Sequence, residues 1–328
     1  MALGGLMPPR ARVGFVFPGQ GSQVVGMGAD IAAAYPAAGA LYERAGEILG
    51  YDLLQLCCNG PEDCLRETKF SQPAIFVTNY ALAVAAAEDG LPFAVASAGH
   101  SFGEYCSLVL AGALDFDDAL RLVSARGIAM QHAAEQAVGA MAAVLGLAAD
   151  GIKSAVDTTC SEGSGRVSLA NFNTPAQIVI SGDSRAVRRA GELCLEAGAR
   201  RVVPLNVSGA WHSELMEPAV PFFAPEVERT KIQLPRFTVV SNVDAQPYRD
   251  VEQIRRNLVR SVTAEVLWHA TSLRLLEENL DVIVECGASP VLAPMLKRLS
   301  GAPDVTSISD RTGVEKLRAR LSSVAVAK

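Results

Sequence analysis

Short apolar runs alternate with stretches of helical spacing along most of the chain. The apolar runs that we expect to form strands lie at 13–17, 93–98, 237–241 and 281–285. The stretches that we expect to form helices lie at 27–50, 79–89, 102–112, 117–135, 213–228, 251–260, 267–279 and 291–299. Alternation of this kind is typical of α/β proteins with a parallel sheet, which is the fold class that we predict.

The pattern changes between residues 139 and 207. The spacing here predicts, in order, strand 140–145, helix 148–158, strand 166–170, strand 177–181, helix 183–197 and strand 200–205. This β-α-β-β-α-β order matches the ferredoxin-like motif, so we expect an inserted ferredoxin-like subdomain at 139–207. The expected domain organisation is a discontinuous core at 12–138 and 208–305, the insertion at 139–207, and a C-terminal segment at 306–328.

The predicted helix 117–135 has one buried stripe with an arginine at its border. The stripe is formed by Leu120, Val123, Gly127 and Met130. Arg126 lies about 40° around the helix axis from Met130, so it borders the stripe and does not face water. An arginine in such a place usually binds a carboxylate. Two interpretations stay open, an internal salt bridge and a grip on the carboxylate of a substrate.

Composition and charge exclude several classes of protein. The chain has 328 residues, of which 50% are hydrophobic and 20% charged, so it can bury a sizeable core and is too apolar for intrinsic disorder. The net charge of −6 disfavours nucleic acid and anionic membranes as partners, because both attract cations. The seven cysteines include no C-x-x-C pair, so neither a disulfide framework nor a metal site is favoured.

The chain shows no targeting or membrane segment that we recognise. Its first residues, MALGGLMPPRAR, contain no apolar stretch of signal-peptide length. No later apolar run reaches the roughly 18 residues of a membrane span without interruption. We therefore expect a soluble, cytoplasmic protein.

The strongest chemical motif is GHSFG at 99–103, which has the G-x-S-x-G pattern between a predicted strand and a predicted helix. This context is that of a nucleophile elbow, in which a sharp turn presents the serine hydroxyl above the sheet. The simpler alternative is a glycine-rich turn with an ordinary serine. The context favours Ser101 as a nucleophile.

A nucleophilic serine needs a base, and the chain has four histidines. His100 adjoins Ser101 and should point away from it. His132 and His269 lie within predicted helices, where packing or surface roles are commoner. His212 lies in the loop SGAWHS between a predicted strand and helix, where α/β folds carry functional groups. We favour His212 as the base; the alternative is that it only caps the following helix.

The orientation of His212 is expected to come from the backbone. In α/β hydrolases an acidic residue lies between the serine and the histidine in chain order. No Asp or Glu in the loops of 160–211 stands out as that partner. We therefore expect a Ser–His dyad in which a main-chain carbonyl binds Nδ1 of the imidazole.

The segment FPGQGSQ at 17–23 directly follows the first predicted strand. It is not a P-loop because no G-K-[ST] follows, and Val24 occupies the third glycine position of a dinucleotide motif. Its glycines allow close approach to another loop. This suits an oxyanion hole near Gln20, formed by one main-chain N–H here and another at Phe102.

These motifs together resemble the malonyl-CoA:acyl carrier protein transacylases and the acyltransferase domains of polyketide synthases. The resemblance extends from about residue 12 to residue 300. The motifs that carry it are FVFPGQGSQ (15–23), SQPAIF (71–76), GHSFGEY (99–105), RGIAMQ (126–131), GAMAAVLGL (139–147), ANFNTPAQIVISG (170–182), SGAWHSELM (208–216), SNVDAQP (241–247) and ECGASPVLAPMLKR (285–298).

The resemblance implies an α/β-hydrolase-like core with a ferredoxin-like insertion. It also implies that Ser101 is the acylated nucleophile and His212 its base, with Gln20 and Phe102 contributing to the oxyanion hole. Phe102 stands where the family more often has leucine, and GAWHS differs from the family's usual sequences around the histidine. The choice between malonyl and another extender unit therefore stays open.

The resemblance assigns the remaining candidate residues to substrate binding. Arg126 corresponds to the clamp for the malonyl carboxylate, and Asn171 and Asn173 resemble asparagines on the pocket side. In the stretch RSVTAEVLW (260–268), Ser261 replaces a glutamine of the family. This stretch lies near the loop whose main-chain carbonyl orients the histidine, so the replacement should be tolerated.

The expected activity is transfer of a malonyl group from malonyl-CoA, through Ser101, to the phosphopantetheine thiol of acyl carrier protein. The enzyme would need no metal or redox cofactor, would be a monomer, and would serve fatty-acid or polyketide synthesis. The alternatives are a free-standing polyketide acyltransferase with another extender unit, an acyl-thioester hydrolase, and a non-catalytic carrier-binding module. Basic candidates for docking the acidic carrier protein are Arg188, Arg189, Arg200, Arg201, Lys297 and Arg298.

Overall fold

The computed structural model describes residues 11–91 and 94–326, with side chains up to residue 321. The strands are β1 (Val13–Phe17), β2 (Ala94–Gly99), β3 (Gly139–Leu145), β4 (Val167–Thr174), β5 (Gln177–Asp183), β6 (Arg201–Pro204), β7 (Thr238–Val240), β8 (Val282–Cys286) and β9 (Asp304–Ile308). Phe93, expected to begin the second strand, lies outside the described residues.

Helices make up most of the remaining chain. They are α1 (Ala29–Ala34), α2 (Pro36–Leu49), α3 (Leu53–Asn59), α4 (Glu62–Arg66), α5 (Thr68–Glu88), α6 (Gly103–Leu110), α7 (Phe116–Gln136), α8 (Ala149–Ser161), α9 (Ser184–Glu196), α10 (Val220–Arg229), α11 (Val251–Arg260), α12 (Trp268–Leu276), α13 (Ala293–Leu296) and α14 (Arg311–Val326). A 3₁₀ helix at Glu214–Ala219 leads into α10.

Five strands form a parallel sheet in the order β7-β2-β1-β8-β9. Every residue of β1 and of β8 is buried. Successive side chains enter two different hydrophobic clusters, so that Phe15 and Val284 pack on one face and Val16 and Ile283 on the other. Near-continuous apolar strands are expected where helices cover both faces of a parallel sheet.

The other four strands form an antiparallel sheet in the order β4-β5-β3-β6. Its strands alternate with α8 and α9 in the order predicted for residues 139–207. The two helices and the sheet share a separate hydrophobic cluster that includes Val144, Ile152, Ile180 and Val187. The protein is therefore a mixed α/β fold with one parallel and one antiparallel sheet.

Several elements differ from the sequence predictions. The helix expected at 79–89 begins at Thr68, and residues 71–79 within it are buried on all sides. Because no polar face interrupts this segment, it has no amphipathic period for the sequence to reveal. The helix expected at 27–50 is two helices, separated at Tyr35 before Pro36. Helices α3 and α4 were not predicted.

The C-terminal part of the chain belongs to the parallel sheet. Strand β9 pairs with β8, and the buried side chains of Val314 and Leu317 join α14 to the main hydrophobic cluster. The boundary expected at residue 306 therefore falls inside a strand. A single edge strand carries little sequence signal, because its pairing partner is decided by the rest of the sheet.

Helix α5 is long and apolar enough to span a membrane by length and composition alone. It is not an uninterrupted apolar run, because Ser71, Gln72, Thr78 and Asn79 lie within it, so the expectation from the sequence still holds for such runs. In addition, 78% of its most apolar window is buried inside the protein. Its side chains, among them Ile75, Phe76 and Leu82, belong to the main hydrophobic cluster. In this structure α5 is a core helix.

Candidate active site

The loops that follow β1, β2, β7 and β8 meet at one edge of the parallel sheet, because these strands are neighbours that run in the same direction. In open α/β sheets this carboxyl edge is where ligands bind. The loop after β1 carries Gln20, the turn after β2 carries Ser101, and the loop after β7 carries Asn242. The antiparallel sheet contributes β4 and the segment after β6 to the same place.

Ser101 has a left-handed backbone conformation, with a φ of 53°. The turn around it is so tight that a Cβ atom at Gly99 would lie 2.0 Å from the carbonyl carbon of Gly103. A Cβ atom at Gly103 would lie 2.3 Å from the carbonyl oxygen of Phe17. Only glycine fits at either position, so the structure has the nucleophile-elbow geometry that the motif predicts.

His212 lies directly against Ser101, with its Nε2 2.8 Å from the serine Oγ. Its Nδ1 lies 2.9 Å from the carbonyl oxygen of Ala264. Because a carbonyl oxygen only accepts hydrogen bonds, Nδ1 carries the proton and Nε2 is free to accept from the serine hydroxyl. The expected main-chain partner of the imidazole is thus the carbonyl of Ala264.

The segment that carries Ala264 is held by both sheets. The backbone N–H of Val266 donates to the carbonyl of Ala170 at the middle of β4, and the N–H of Leu267 donates to the carbonyl of Asn242. The carbonyl of Val266 accepts from the N–H of Phe172. These bonds join the antiparallel sheet to the carboxyl edge of the parallel one, and they fix the carbonyl that orients His212.

Burial first, and the charge of Arg126 second, lower the pKa of His212 to about 3, and the hydrogen bond to Ala264 opposes them. The imidazole is only 4% exposed. It is therefore neutral near pH 7, which is the form that can accept a proton.

Because of this shift, His212 should contribute to acid destabilisation of the fold. Between about pH 6.5 and 3 the unfolded chain binds a proton at this residue that the native protein does not bind, so stability falls as the pH falls. At pH 4.5 the expected contribution is about 2–3 kcal/mol. Urea unfolding at pH 7 and 4.5 should show His212→Gln losing less stability than the wild type. Equal losses in the two proteins would contradict this.

Arg126 is 1% exposed and points at the same serine. Its Nη2 lies 3.4 Å from Ser101 Oγ, its Nη1 donates to Gln72 Oε1 at 3.0 Å, and its Nε has no partner. None of the ion pairs among the described residues includes it. The internal salt bridge considered from the sequence is therefore not present, and a buried cation faces the cavity.

Close packing of α5 on α7 brings Gln72 to Arg126. A Cβ atom at Gly127 would lie 2.9 Å from the carbonyl oxygen of Thr68, so the glycine lets the two helices approach. Gln72 then also donates through Nε2 to the sulfur of Met130 at 3.6 Å. Sequence reasoning included Gln72 in the SQPAIF motif but gave it no role.

Gln20 and Phe102 lie on the two loops that flank the serine. Gln20 is fixed by a hydrogen bond of 3.1 Å from its Nε2 to Thr68 Oγ1. Phe102 is the N-cap of α6. Its N–H therefore lies at the end of the helix where N–H groups lack intrahelical partners and the macrodipole is positive.

The two predicted asparagines differ in their contacts. Asn173 is 7% exposed, and its Oδ1 lies 2.9 Å from Nε2 of His100, so it holds that ring away from Ser101. Asn171 is 5% exposed and pairs through its backbone with Val266. Both line the cavity, but Asn173 is already engaged with a protein partner.

The structure brings all the predicted site residues to one cavity of about 190 Å³. Its lining includes Gln20, Ser101, Phe102, Arg126, Asn171, Asn173 and His212, together with His100, Gln72, Met130, Met141, Trp211, Val291 and Met295. His132 lies on α7 against Phe222, and His269 lies on α12, so neither contacts the serine.

A buried polar cluster behind the elbow was not predicted. Glu104 accepts hydrogen bonds from the backbone N–H and the Nδ2 of Asn242, at 2.6 and 2.7 Å, and another from the hydroxyl of Tyr248. Burial raises the pKa of Glu104 to about 7, although these hydrogen bonds lower it. Both GHSFGEY and SNVDAQP were noticed as motifs, but nothing in their spacing shows that they touch.

Known proteins resemble this chain along nearly its whole length. A model of the acyl transferase domain family matches residues 14–318. The malonyl CoA-acyl carrier protein transacylase of Haemophilus influenzae is 40% identical over 297 residues, covering 90% of this chain and 94% of that protein. The Escherichia coli K12 protein of the same name is 42% identical over 285 residues, covering 87% and 92%.

Solved structures agree with these sequence matches. FabD from Acinetobacter baumannii superposes with a TM-score of 0.91 at 36% identity, covering 96% of this chain and 99% of that one. A malonyl-transacylase solved in complex with a type II PKS acyl-carrier protein gives a TM-score of 0.90 at 38% identity, covering 94% and 100%. The chain therefore belongs to the acyl transferase domain family, among the malonyl CoA-acyl carrier protein transacylases.

Proposed function

We propose that this protein transfers a malonyl group from malonyl-CoA to the phosphopantetheine thiol of an acyl carrier protein. One observation carries the proposal: the hydroxyl of Ser101 lies 2.8 Å from a neutral imidazole and 3.4 Å from a buried guanidinium that has no carboxylate partner. The first makes the serine a nucleophile, and the second suits an acyl group that ends in a carboxylate.

In the first half-reaction Ser101 Oγ attacks the thioester carbonyl of malonyl-CoA while its proton passes to Nε2 of His212. The tetrahedral intermediate then collapses, the carbon–sulfur bond breaks, and His212 returns the proton to the leaving CoA thiolate. The product is a malonyl ester of Ser101. No metal or redox cofactor is needed, because serine and histidine supply both the nucleophile and the proton transfer.

In the second half-reaction the carrier thiol attacks the ester carbonyl and His212 accepts the thiol proton. When this second intermediate collapses, the carbon–oxygen bond breaks and the proton returns to Ser101. In both intermediates the negative oxygen would be stabilised by main-chain N–H groups at Gln20 and Phe102. One such donor typically contributes about 2.7–4 kcal/mol of barrier lowering.

Arg126 is proposed to bind the malonyl carboxylate. A guanidinium without a carboxylate partner is costly to bury, so a ligand that supplies one gains from the interaction. Gln72 and the ring of Phe102, whose centre lies 5.9 Å from the guanidinium carbon, hold the side chain in place. Fixing the far end of the acyl group would orient its thioester carbonyl toward Ser101.

Arg126→Met should weaken malonyl transfer and relax acyl selectivity. A charge-assisted hydrogen bond contributes about 1.5–3 kcal/mol, so its loss corresponds to a roughly 10- to 160-fold fall in kcat/KM for malonyl-CoA. Acetyl-CoA, which has no carboxylate, should lose little. Arg121→Met, on the exposed side of the same helix, is the matched control. An unchanged ratio of malonyl to acetyl transfer in Arg126→Met would show that Arg126 does not bind the malonyl carboxylate.

The carrier protein is proposed to dock through basic residues of the insertion at 139–207 and through Lys297 and Arg298, which follow the cavity-lining Met295. The relative whose structure contains an acyl-carrier protein supports a carrier as the partner. Of the basic candidates, Arg189 is paired with Glu162 and Glu192, so its charge is partly neutralised. The other candidates, all exposed, are Arg188, Arg200, Arg201, Lys297 and Arg298.

We also propose that residues 139–207 form a ferredoxin-like subdomain on an α/β-hydrolase-like core. The strand order β4-β5-β3-β6 with two connecting helices supports the first, and a serine at the β2–α6 turn of a parallel sheet supports the second. The core then includes β9 as well as residues 12–138 and 208–305. A cytoplasmic, monomeric enzyme remains our expectation.

Intact-protein mass spectrometry tests the proposed activity directly. The protein is incubated in parallel with malonyl-CoA, acetyl-CoA and methylmalonyl-CoA, and then with a holo carrier protein from fatty-acid or polyketide synthesis. We expect a malonyl adduct on Ser101 that moves to a carrier. An adduct lost equally fast to water without a carrier would support the hydrolase alternative, and a preferred methylmalonyl adduct would support another extender unit.

A further inference from the structure

Asn242 holds the backbone on both sides of the Ser101 Cα atom. Its Oδ1 accepts from the N–H of Ser101 at 3.0 Å, and its Nδ2 donates to the carbonyl of Ser101 at 2.9 Å. The N–H belongs to the peptide plane before the Cα atom and the carbonyl to the plane after it. Since φ and ψ are the rotations of these two planes, this one side-chain amide holds both planes of Ser101. The N–H of Glu104 also donates to the carbonyl of Ser101, at 3.2 Å, and holds only the second plane.

The same amide also affects the N–H of Phe102. That N–H shares a planar trans peptide with the carbonyl of Ser101, so the two groups point in opposite directions. A hydrogen bond that holds the carbonyl toward Asn242 therefore aims the Phe102 N–H away from it. The φ of 53° at Ser101 is a strained value for a residue with a side chain, and it persists only where contacts enforce it.

Glu104 and Tyr248 in turn hold Asn242. Glu104 Oε2 accepts from both the main-chain N–H and the Nδ2 of Asn242, and Glu104 Oε1 accepts from the Tyr248 hydroxyl. Asn242 is 1% exposed, Glu104 2% and Tyr248 6%. The carboxylate fixes which way the amide points, because it accepts only from the Nδ2 side.

We propose that Asn242 is a positioning residue that sets the geometry of the Ser101 nucleophile and the Phe102 N–H together, with Glu104 and Tyr248 orienting its amide. The inference rests on the proposed acylation of Ser101. It assigns a role to three residues that do not line the cavity.

Single-turnover acylation by malonyl-CoA tests this role in Asn242→Ala. We expect the acylation rate constant to fall about 10- to 100-fold while the Kd for malonyl-CoA stays within about threefold, because the amide contacts no substrate. The matched control is Asn257→Ala. Asn257 is 3% exposed and donates to Ser241 and Asp244 of the same loop, without touching Ser101. Its variant should lose stability but acylate at near the wild-type rate.

Tyr248→Phe provides a test that removes only one hydroxyl, in case Asn242→Ala does not fold. It should slow acylation by about three- to tenfold with an unchanged Kd. Tyr42→Phe is the control: it removes a buried hydroxyl that donates to Thr78, away from the site, and should leave the acylation rate unchanged. Glu104→Ala should also slow acylation. Glu104→Gln can still accept from both N–H groups of Asn242, so it should restore at least about a third of the acylation rate that Glu104→Ala loses.

The outcomes separate this inference from the proposed function. If wild-type protein is not acylated on Ser101, the proposed function fails. If the wild type is acylated and Asn242→Ala matches Asn257→Ala, or Tyr248→Phe matches Tyr42→Phe, only the positioning role is overturned. A fall in the acylation rate that is confined to Asn242→Ala, Glu104→Ala and Tyr248→Phe supports it.

Discussion

Ser101→Ala should abolish the covalent adduct with malonyl-CoA and lower carrier malonylation by at least about 10⁴-fold, because the reaction loses its nucleophile. Intact-protein mass spectrometry measures the adduct, and transfer to a holo carrier measures turnover. The variant should fold, since alanine removes one hydroxyl and leaves the two backbone bonds to Asn242 in place.

Ser208→Ala is the control for this substitution. Ser208 is an exposed serine on a neighbouring loop and is not part of the proposed chemistry. Its variant should form the adduct as the wild type does. Persistent malonylation of the Ser101→Ala protein, located by peptide mapping at another residue, would remove Ser101 from the mechanism.

His212→Ala should slow acylation of Ser101 by about 10²–10⁴-fold, the usual contribution of a general base. Binding of malonyl-CoA should change much less, because the imidazole contacts the serine and not the far end of the acyl group. Rapid-quench measurement of the acyl-enzyme, with a separate determination of Kd, distinguishes the two effects.

The pH dependence of acylation in the wild type gives an independent readout of His212. With its pKa lowered to about 3, the imidazole stays neutral across the range in which an ordinary histidine titrates. His212 should therefore add no inflection to the acylation rate near pH 6.5. Glu104, whose pKa burial raises to about 7, is the other group that titrates in this range, so the profile is measured in Glu104→Gln as well. His132→Ala, which removes an exposed histidine bonded to Gln136, should retain wild-type acylation. An equal loss of acylation rate in His212→Ala and His132→Ala would mean that His212 is not the base.

The site residues that could be predicted from the sequence lie in short motifs whose residue types indicate their chemistry. GHSFG specifies its own turn. Backbone atoms lie 2.0 and 2.3 Å from where a Cβ atom would be at Gly99 and Gly103, so both positions require glycine. His212 was found by elimination among four histidines, and the structure places it at hydrogen-bonding distance. Local geometry depends on nearby residues, so the sequence can reveal it.

The supporting residues were missed for the opposite reason. Gln72 and Asn242 come from α5 and from the loop after β7, which are far apart along the chain. Ala264 lies in the stretch 260–268 that the resemblance placed near the histidine, but no residue in it was named. Each acts through an amide or a main-chain carbonyl that has no distinctive sequence pattern. The long α5 was itself under-predicted, because a helix buried on all sides shows no period.

Residue types and their order were sufficient to show an α/β chain with an inserted β-α-β-β-α-β unit, a serine at a tight turn and an arginine beside a buried stripe. Periodicity and turn chemistry are local, so they can be read without coordinates. Only the tertiary structure decided that β9 completes the parallel sheet, that Ala264 orients His212, that Arg126 is without a carboxylate partner, and that Glu104 and Asn242 meet behind Ser101. These are contacts between distant segments, and packing of the whole chain selects them.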